Sequence, residues 1–320
     1  MLCEKGEMSL NRQSPQKCLP DLKGGRYMSE YDSHKEATIV RKNFFIILAL
    51  LLAGVALLSA GICRADSKSI PPGEAGAKAA LEVSPRHHEW VDISVPGSDI
   101  ELTTFVAYPE RKDKAAVVIV IHEIFGLTDW IRAVADRLAA DGFIAVAPDF
   151  LSGKGPGGGG TSAFDSRDDV VKAVRGLPPQ DVARMLDAVS SHATKLPAAT
   201  EKFATVGFCW GGAQSFYYAT VQPDLDAAVV YYGASPQLNE LEVIRAPVLG
   251  LYGEDDARVN TTVGPAAEKM KELGKTFLTQ TYKGAGHGFL RAQGERDGAN
   301  LEASRQAWPA TIEHLKKYLE

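Results

Sequence analysis

Residues 203–220 read FATVGFCWGGAQSFYYAT. The opening run, Phe203–Gly207, is short and apolar, as a strand buried on both faces of a parallel sheet would be. Gly211–Thr220 reads as a helix. Between them stands Gly207-Phe208-Cys209-Trp210-Gly211, a G-x-nucleophile-x-G turn with cysteine at its centre. Glycines on either side let the chain reverse sharply without side-chain clash, and Gly212 extends the room for close packing. Such a turn holds the nucleophile above the carboxyl edge of the sheet. The helix N-terminus lies beneath it, and its dipole favours a thiolate. The backbone N–H of Trp210 then forms half of an oxyanion hole. The competing reading is a tight turn around an inert buried cysteine. The strand–turn–helix context favours the nucleophile.

Outward from this turn the same alternation continues. Trp90–Val95 and Glu101–Tyr108 alternate polar and apolar residues and read as an opening antiparallel pair. Ala115–Ile121, AAVVIVI, and Phe143–Ala147 are buried strands, and Thr128–Asp141 between them has a helical period. Gln180–His192 is an amphipathic helix that follows Pro178-Pro179. Ala227–Tyr232, Val248–Tyr252 and Phe277–Tyr282 read as strands, Pro265–Leu273 and Leu301–Leu319 as helices. The expected fold class is α/β, a mostly parallel central sheet with helices on both faces. The glycine-rich stretch 151–160 lacks the G-x-x-x-x-G-K-[ST] order of a phosphate-binding loop and reads as a flexible loop.

If Cys209 is a nucleophile, an acid and then a base should follow it in the chain. Glu254, Asp255 and Asp256 lie just past the strand Val248–Tyr252, on the edge that carries the elbow. Any of the three can orient a histidine, and each can equally belong to a solvated acidic loop. His287, in Gly284-Ala285-Gly286-His287-Gly288-Phe289, lies just past the strand Phe277–Tyr282. Its imidazole can take the thiol proton and later activate water. His87, His88, His192 and His314 lack such a context and read as surface residues without metal-ligand spacing. Glu123 and Ile124 follow the strand Ala115–Ile121, where the N–H of Ile124 is the natural second oxyanion donor. Glu123 is a charge close to the nucleophile, or else a helix-capping or surface carboxylate.

The N-terminal segment stands apart. Residues 44–63, FFIILALLLAGVALLSAGIC, carry no charge and follow Arg41-Lys42. Residues 1–65 read as a leader. It is either a signal peptide cleaved near Cys63-Arg64-Ala65, with Met28 as a candidate start, or an uncleaved membrane anchor at 44–63. Export to the periplasm or medium is expected. Cleavage would leave Cys209 as the sole cysteine of the four, so no intramolecular disulfide could form. Residues 66–85 are rich in Pro, Gly, Ala and Ser and read as a linker, with one domain over 86–320. The net charge of −5 gives no support for a nucleic-acid partner. A monomer is expected, with membrane association only through an uncleaved leader.

Over 85–320 the sequence resembles the dienelactone hydrolase (carboxymethylenebutenolidase) family, which has the α/β-hydrolase fold. The resemblance rests on HEIFG at 122–126, APDF at 147–150, GFCWGG at 207–212, GEDD at 253–256 and AGHGFLR at 285–291. It implies a triad of Cys209, His287 and Asp256, and so selects Asp256 from its acidic neighbours. It gives Glu123 a role as partner of the resting thiol. It implies that Arg291 binds a substrate carboxylate, for which a guanidinium is a bidentate clamp. Arg167 is the nearest counterpart of the family's second carboxylate-binding arginine. The implied activity is hydrolysis of a small anionic lactone or ester through an acyl-thioester, with no metal or organic cofactor. The alternatives are a broader esterase or thioesterase on the same scaffold, and a non-catalytic exported binding protein.

Overall fold

The structure, a computed structural model, describes residues 70–320. The leader expected at 1–65, with its apolar run, and residues 66–69 lie outside the described residues.

Eight strands form one sheet: β1 (His88–Ser94), β2 (Glu101–Ala107), β3 (Ala115–Ile121), β4 (Ile144–Pro148), β5 (Ala199–Phe208), β6 (Ala227–Tyr231), β7 (Val248–Gly253) and β8 (Phe277–Tyr282). Their order is β1-β2-β4-β3-β5-β6-β7-β8. β1 with β2 and β2 with β4 pair antiparallel, and every later pair is parallel. This is the expected mostly parallel α/β sheet.

The helices are α1 (Glu74–Glu82), α2 (Asp129–Ala140), α3 (Arg167–Arg175), α4 (Pro179–Ala193), α5 (Trp210–Val221), α6 (Ala257–Glu272) and α7 (Ala299–Leu319). All seven residues of β3 are buried. Successive side chains point to opposite faces. Val117, Ile119 and Ile121 meet a layer that includes Met185 and Leu186 of α4, Phe216 of α5 and Met270 of α6. Ala116, Val118 and Val120 meet the other layer, with Ala77 of α1, Trp130 and Leu138 of α2 and Trp308 of α7. Each such Val or Ile contributes about 1.5–3 kcal/mol by leaving water, which is why β3 and β4 contain no polar residue. With both faces covered, the carboxyl edge is left to carry polar chemistry.

Several expectations are corrected. The stretch read as a linker contains α1. Its sequence EAGAKAALE is made mostly of good helix formers, and Ala77 at its centre is fully buried. Pro71 and Pro72 before it receive hydrogen bonds through their carbonyls, from Gln293 Nε2 at 2.9 Å and Trp130 Nε1 at 3.1 Å. The helix expected from Pro265 begins at Ala257, with Pro265 inside it. The missing proline N–H costs one internal bond, and the β-branched first turns had hidden the start. His314 is buried, not on the surface, and its Nε2 faces the Pro247 carbonyl at 3.3 Å. His88 is drawn to Asp136, 2.7 Å from Nε2, in a cluster with Arg86. The loop at 151–160 is fastened at its end: Asp149 accepts from the Thr161 N–H at 2.6 Å and from its hydroxyl at 2.7 Å.

Candidate active site

Four loops at the carboxyl edge carry Cys209, Asp256, His287 and the Glu123-Ile124 pair. The first is the β5–α5 turn. Cys209 has φ 56° and ψ −114°, outside the comfort of any L-residue. It is held there because the turn admits nothing bulkier on either side. A Cβ on Gly207 would lie 1.9 Å from the Gly211 carbonyl oxygen, and one on Gly211 would lie 2.3 Å from the Ile121 oxygen. The Cys209 N–H donates to the Tyr231 carbonyl at 3.0 Å. The thiol is thereby lifted off the sheet edge and left partly exposed.

The second and third loops follow β7 and β8. His287 Nε2 lies 3.0 Å from Cys209 Sγ, and His287 Nδ1 lies 2.5 Å from Asp256 Oδ2. The choice among the three acids is thus made by geometry. Asp255 pairs with Arg296 at 2.6 Å, and Glu254 accepts from the Gly284 N–H at 2.9 Å. Asp256 is buried, and the Asn300 amide oxygen pins the histidine loop by accepting from the Gly286 N–H at 3.0 Å. Burial works against the His287 imidazolium, but the bonds to Asp256 and Cys209 outweigh it and raise its pKa to about 9.

The fourth loop follows β3. Ile124 and Trp210 both line the cleft over Cys209. Among the described residues neither N–H donates to a backbone carbonyl, so both are free to meet an incoming oxygen. Glu123 is 3 % exposed, which removes the surface-carboxylate reading. Burial pushes its carboxyl above the usual range, although Arg291 and His287 pull the other way. Its close contact is with Arg291, Nε to Oε2 at 2.7 Å, and the N–H is not aligned for a good hydrogen bond. The thiol partner observed for Cys209 is His287, not Glu123.

Arg291 lines the cleft as expected. Arg167 does not: its guanidinium lies 3.5 Å from the Phe125 ring centroid and its Nη2 is 3.2 Å from Glu74 Oε1. Arg175, at the far end of the same helix, lines the cleft instead, as does Arg258 of α6. The sequence reading missed Tyr232 as well. It follows β6 at the same edge, has φ 41° and packs edge-on to His287 with ring centroids 5.1 Å apart. Its hydroxyl is buried without a hydrogen-bond partner among the described residues. Its position just past a parallel strand was the available signal. The cleft holds about 510 Å³. A larger surface groove of about 680 Å³, beside Asp92 and Lys195, contains neither Cys209 nor His287.

Comparison with known proteins identifies the family and the fold. The model of the dienelactone hydrolase family matches residues 102–319, most of the chain. The chain belongs to the dienelactone hydrolase family. It is 30% identical over 243 residues to a Salmonella typhimurium protein named "Putative carboxymethylenebutenolidase", covering 70% of this chain and 86% of that one. It is 34% identical over 215 residues to "Protein usf" of Aquifex pyrophilus, covering 63% and 88%. The crystal structure of a Klebsiella pneumoniae protein, "Putative Dienelactone Hydrolase", superposes with a TM-score of 0.64 at 28% identity, covering 73% of this chain and 99% of that one. The chain is therefore an α/β-hydrolase-fold member of a family of ester and lactone hydrolases.

Proposed function

We propose that this dienelactone hydrolase-family member is a cysteine-dependent hydrolase of small lactones or esters, working through an acyl-thioester. One observation carries the reading: Sγ of Cys209, the imidazole of His287 and the buried carboxylate of Asp256 stand in a hydrogen-bonded line whose first two members line a cleft.

Cys209 Sγ attacks the carbonyl carbon while His287 Nε2 takes its proton. The N–H groups of Trp210 and Ile124 hold the resulting oxyanion. The C–O bond to the leaving oxygen breaks as His287 returns the proton to it. In a lactone that oxygen stays in the same molecule. Water, activated by His287, then hydrolyses the thioester, and Asp256 keeps the imidazole oriented throughout. Arg291, on the cleft wall, suits a substrate that carries a carboxylate. The chain acts after export, a reading supported by the uncharged run at 44–63 behind Arg41-Lys42.

The test compares a dienelactone with a neutral p-nitrophenyl ester, using the full chain and its Cys209→Ala variant. Turnover of the dienelactone that falls by about 10³-fold or more in Cys209→Ala supports the reading. Turnover of the neutral ester alone keeps the cysteine mechanism and removes the anionic substrate. Full activity in Cys209→Ala refutes the mechanism.

A further inference from the structure

Residues 70–82 are docked beside the cleft by a set of specific bonds. The Pro71 and Pro72 carbonyls are held by Gln293 and Trp130, and the Glu74 N–H donates to the Arg291 carbonyl at 2.9 Å. Ala77 is buried in the same core layer as Trp130. This docking leaves the Glu74 side chain little choice of place. Its Oε2 lies 2.5 Å from Arg291 Nη1, and its Oε1 lies 3.2 Å from Arg167 Nη2.

Arg291 therefore meets two carboxylates of its own chain. Glu123 stands against Nε from the buried side, and Glu74 covers Nη1 from the outer side. Glu123 is 3 % exposed as a side chain, whereas Glu74 is 40 % exposed. Of the two, Glu74 is the one that can leave: it has water to go to and a second arginine beside it. A guanidinium binds a carboxylate through paired N–H groups, and a donor already engaged must be released first.

The geometry points to Glu74 as a specificity-determining residue: an intramolecular carboxylate that occupies the anion-binding side of Arg291 and competes with the carboxylate of a substrate. This rests on the reading of Cys209 as nucleophile and Arg291 as the anion contact. It makes selection of anionic over neutral substrates a competition decided on α1, a segment far from the triad in sequence. The wild-type chain then accepts neutral esters more evenly than a bare Arg291 would allow.

Two readouts test it on the full chain. The first is the ratio of kcat/KM for p-nitrophenyl hemisuccinate to that for p-nitrophenyl butyrate, anionic against neutral. The second is the ratio of Cys209 alkylation rates by iodoacetate and iodoacetamide. Each reagent forms an S–C bond and expels iodide, so this ratio needs no hydrolytic turnover. Glu74→Gln should raise both ratios about threefold to fivefold, chiefly through a lower KM for the anion, in keeping with release of a half-exposed ion pair. Glu74→Asp keeps the charge and shortens the reach, and it should raise both ratios by a smaller factor. Ratios that stay at the wild-type value in Glu74→Gln overturn the proposal and leave anion recognition to Arg175 or Arg258. A Glu74→Asp variant identical to wild type, beside a raised Glu74→Gln, overturns direct competition in favour of a general field effect. If no substrate is hydrolysed, the cysteine-hydrolase reading fails alone, and the alkylation ratio still decides the role of Glu74.

Discussion

Replacing Asp256 with Asn removes the charge behind His287 and leaves the shape of the site almost unchanged. His287 has its pKa raised from 6.5 to about 9, against burial, by its bonds to Asp256 and Cys209. At about 1.4 kcal/mol per unit the whole shift is worth about 3 kcal/mol. That figure is a ceiling for Asp256, because Cys209 supplies part of it and the imidazole is 32% exposed to screening water. A loss of that size corresponds to about 10²-fold in rate. The asparagine amide also offers a donor toward Nδ1, favouring the tautomer with its proton on Nε2, where it cannot accept from the thiol. Asp256→Asn should therefore lower kcat/KM for the neutral ester by about 10²-fold or more. It should also slow alkylation of Cys209 by iodoacetamide at pH 7, and the melting temperature shows whether the variant is folded. Alkylation and kcat/KM within about twofold of wild type, in a folded variant, would refute Asp256 as the group that orients and charges His287.

Two further outcomes concern stability. Burial, with Lys317 nearby, lowers the pKa of His314 from 6.5 to about 4, although the Pro247 carbonyl favours its charged form. The folded state then binds fewer protons than the unfolded chain below pH 6.5, so stability falls as pH drops and levels off below about 4. Chemical denaturation of wild type and His314→Gln should converge toward low pH by at most about 3 kcal/mol, and parallel curves would contradict this. At the elbow, a Cβ on Gly211 would lie 2.3 Å from the Ile121 oxygen and 2.4 Å from the His122 oxygen, both backbone. Gly211→Ala should cost about 1–3 kcal/mol, lower the melting temperature by about 2–4 °C for each of them, and displace the loop that carries Ile124. An unchanged melting point together with unchanged ester hydrolysis would show that the turn has slack.

Much of this was legible before any fold was known. The apolar runs at Ala115–Ile121 and Val248–Tyr252 are strands within a residue of their expected limits, because burial on both faces leaves no room for polar residues, while Phe277–Tyr282 is an exposed edge strand that was readable from its β-branched and aromatic residues. The elbow at Gly207–Gly211 was readable because its geometry tolerates so few residue types. Spacing and strand-end position marked His287 and the acidic trio, and only the family resemblance picked Asp256 over Asp255 and Glu254. That separation is one of direction, and direction is set when β7 and β8 pair and carry their loops together. The same holds for Arg167 and Arg175, which share one helix. Only the turn of α3 against the sheet brings Arg175 to the cleft and leaves Arg167 stacked on Phe125. The helix at Glu74–Glu82 was hidden by composition, since Ala, Gly and Pro look alike in a linker and in a short docked helix. The sequence by itself determined the strands, the sharp turn and the chemical types at the sheet edge, because local sterics and burial act on neighbouring residues. Which carboxylates meet Arg291 was decided by tertiary structure alone, because a pairing over 2.5 Å between residues as distant as 74 and 291 depends on the packed fold that brings them together.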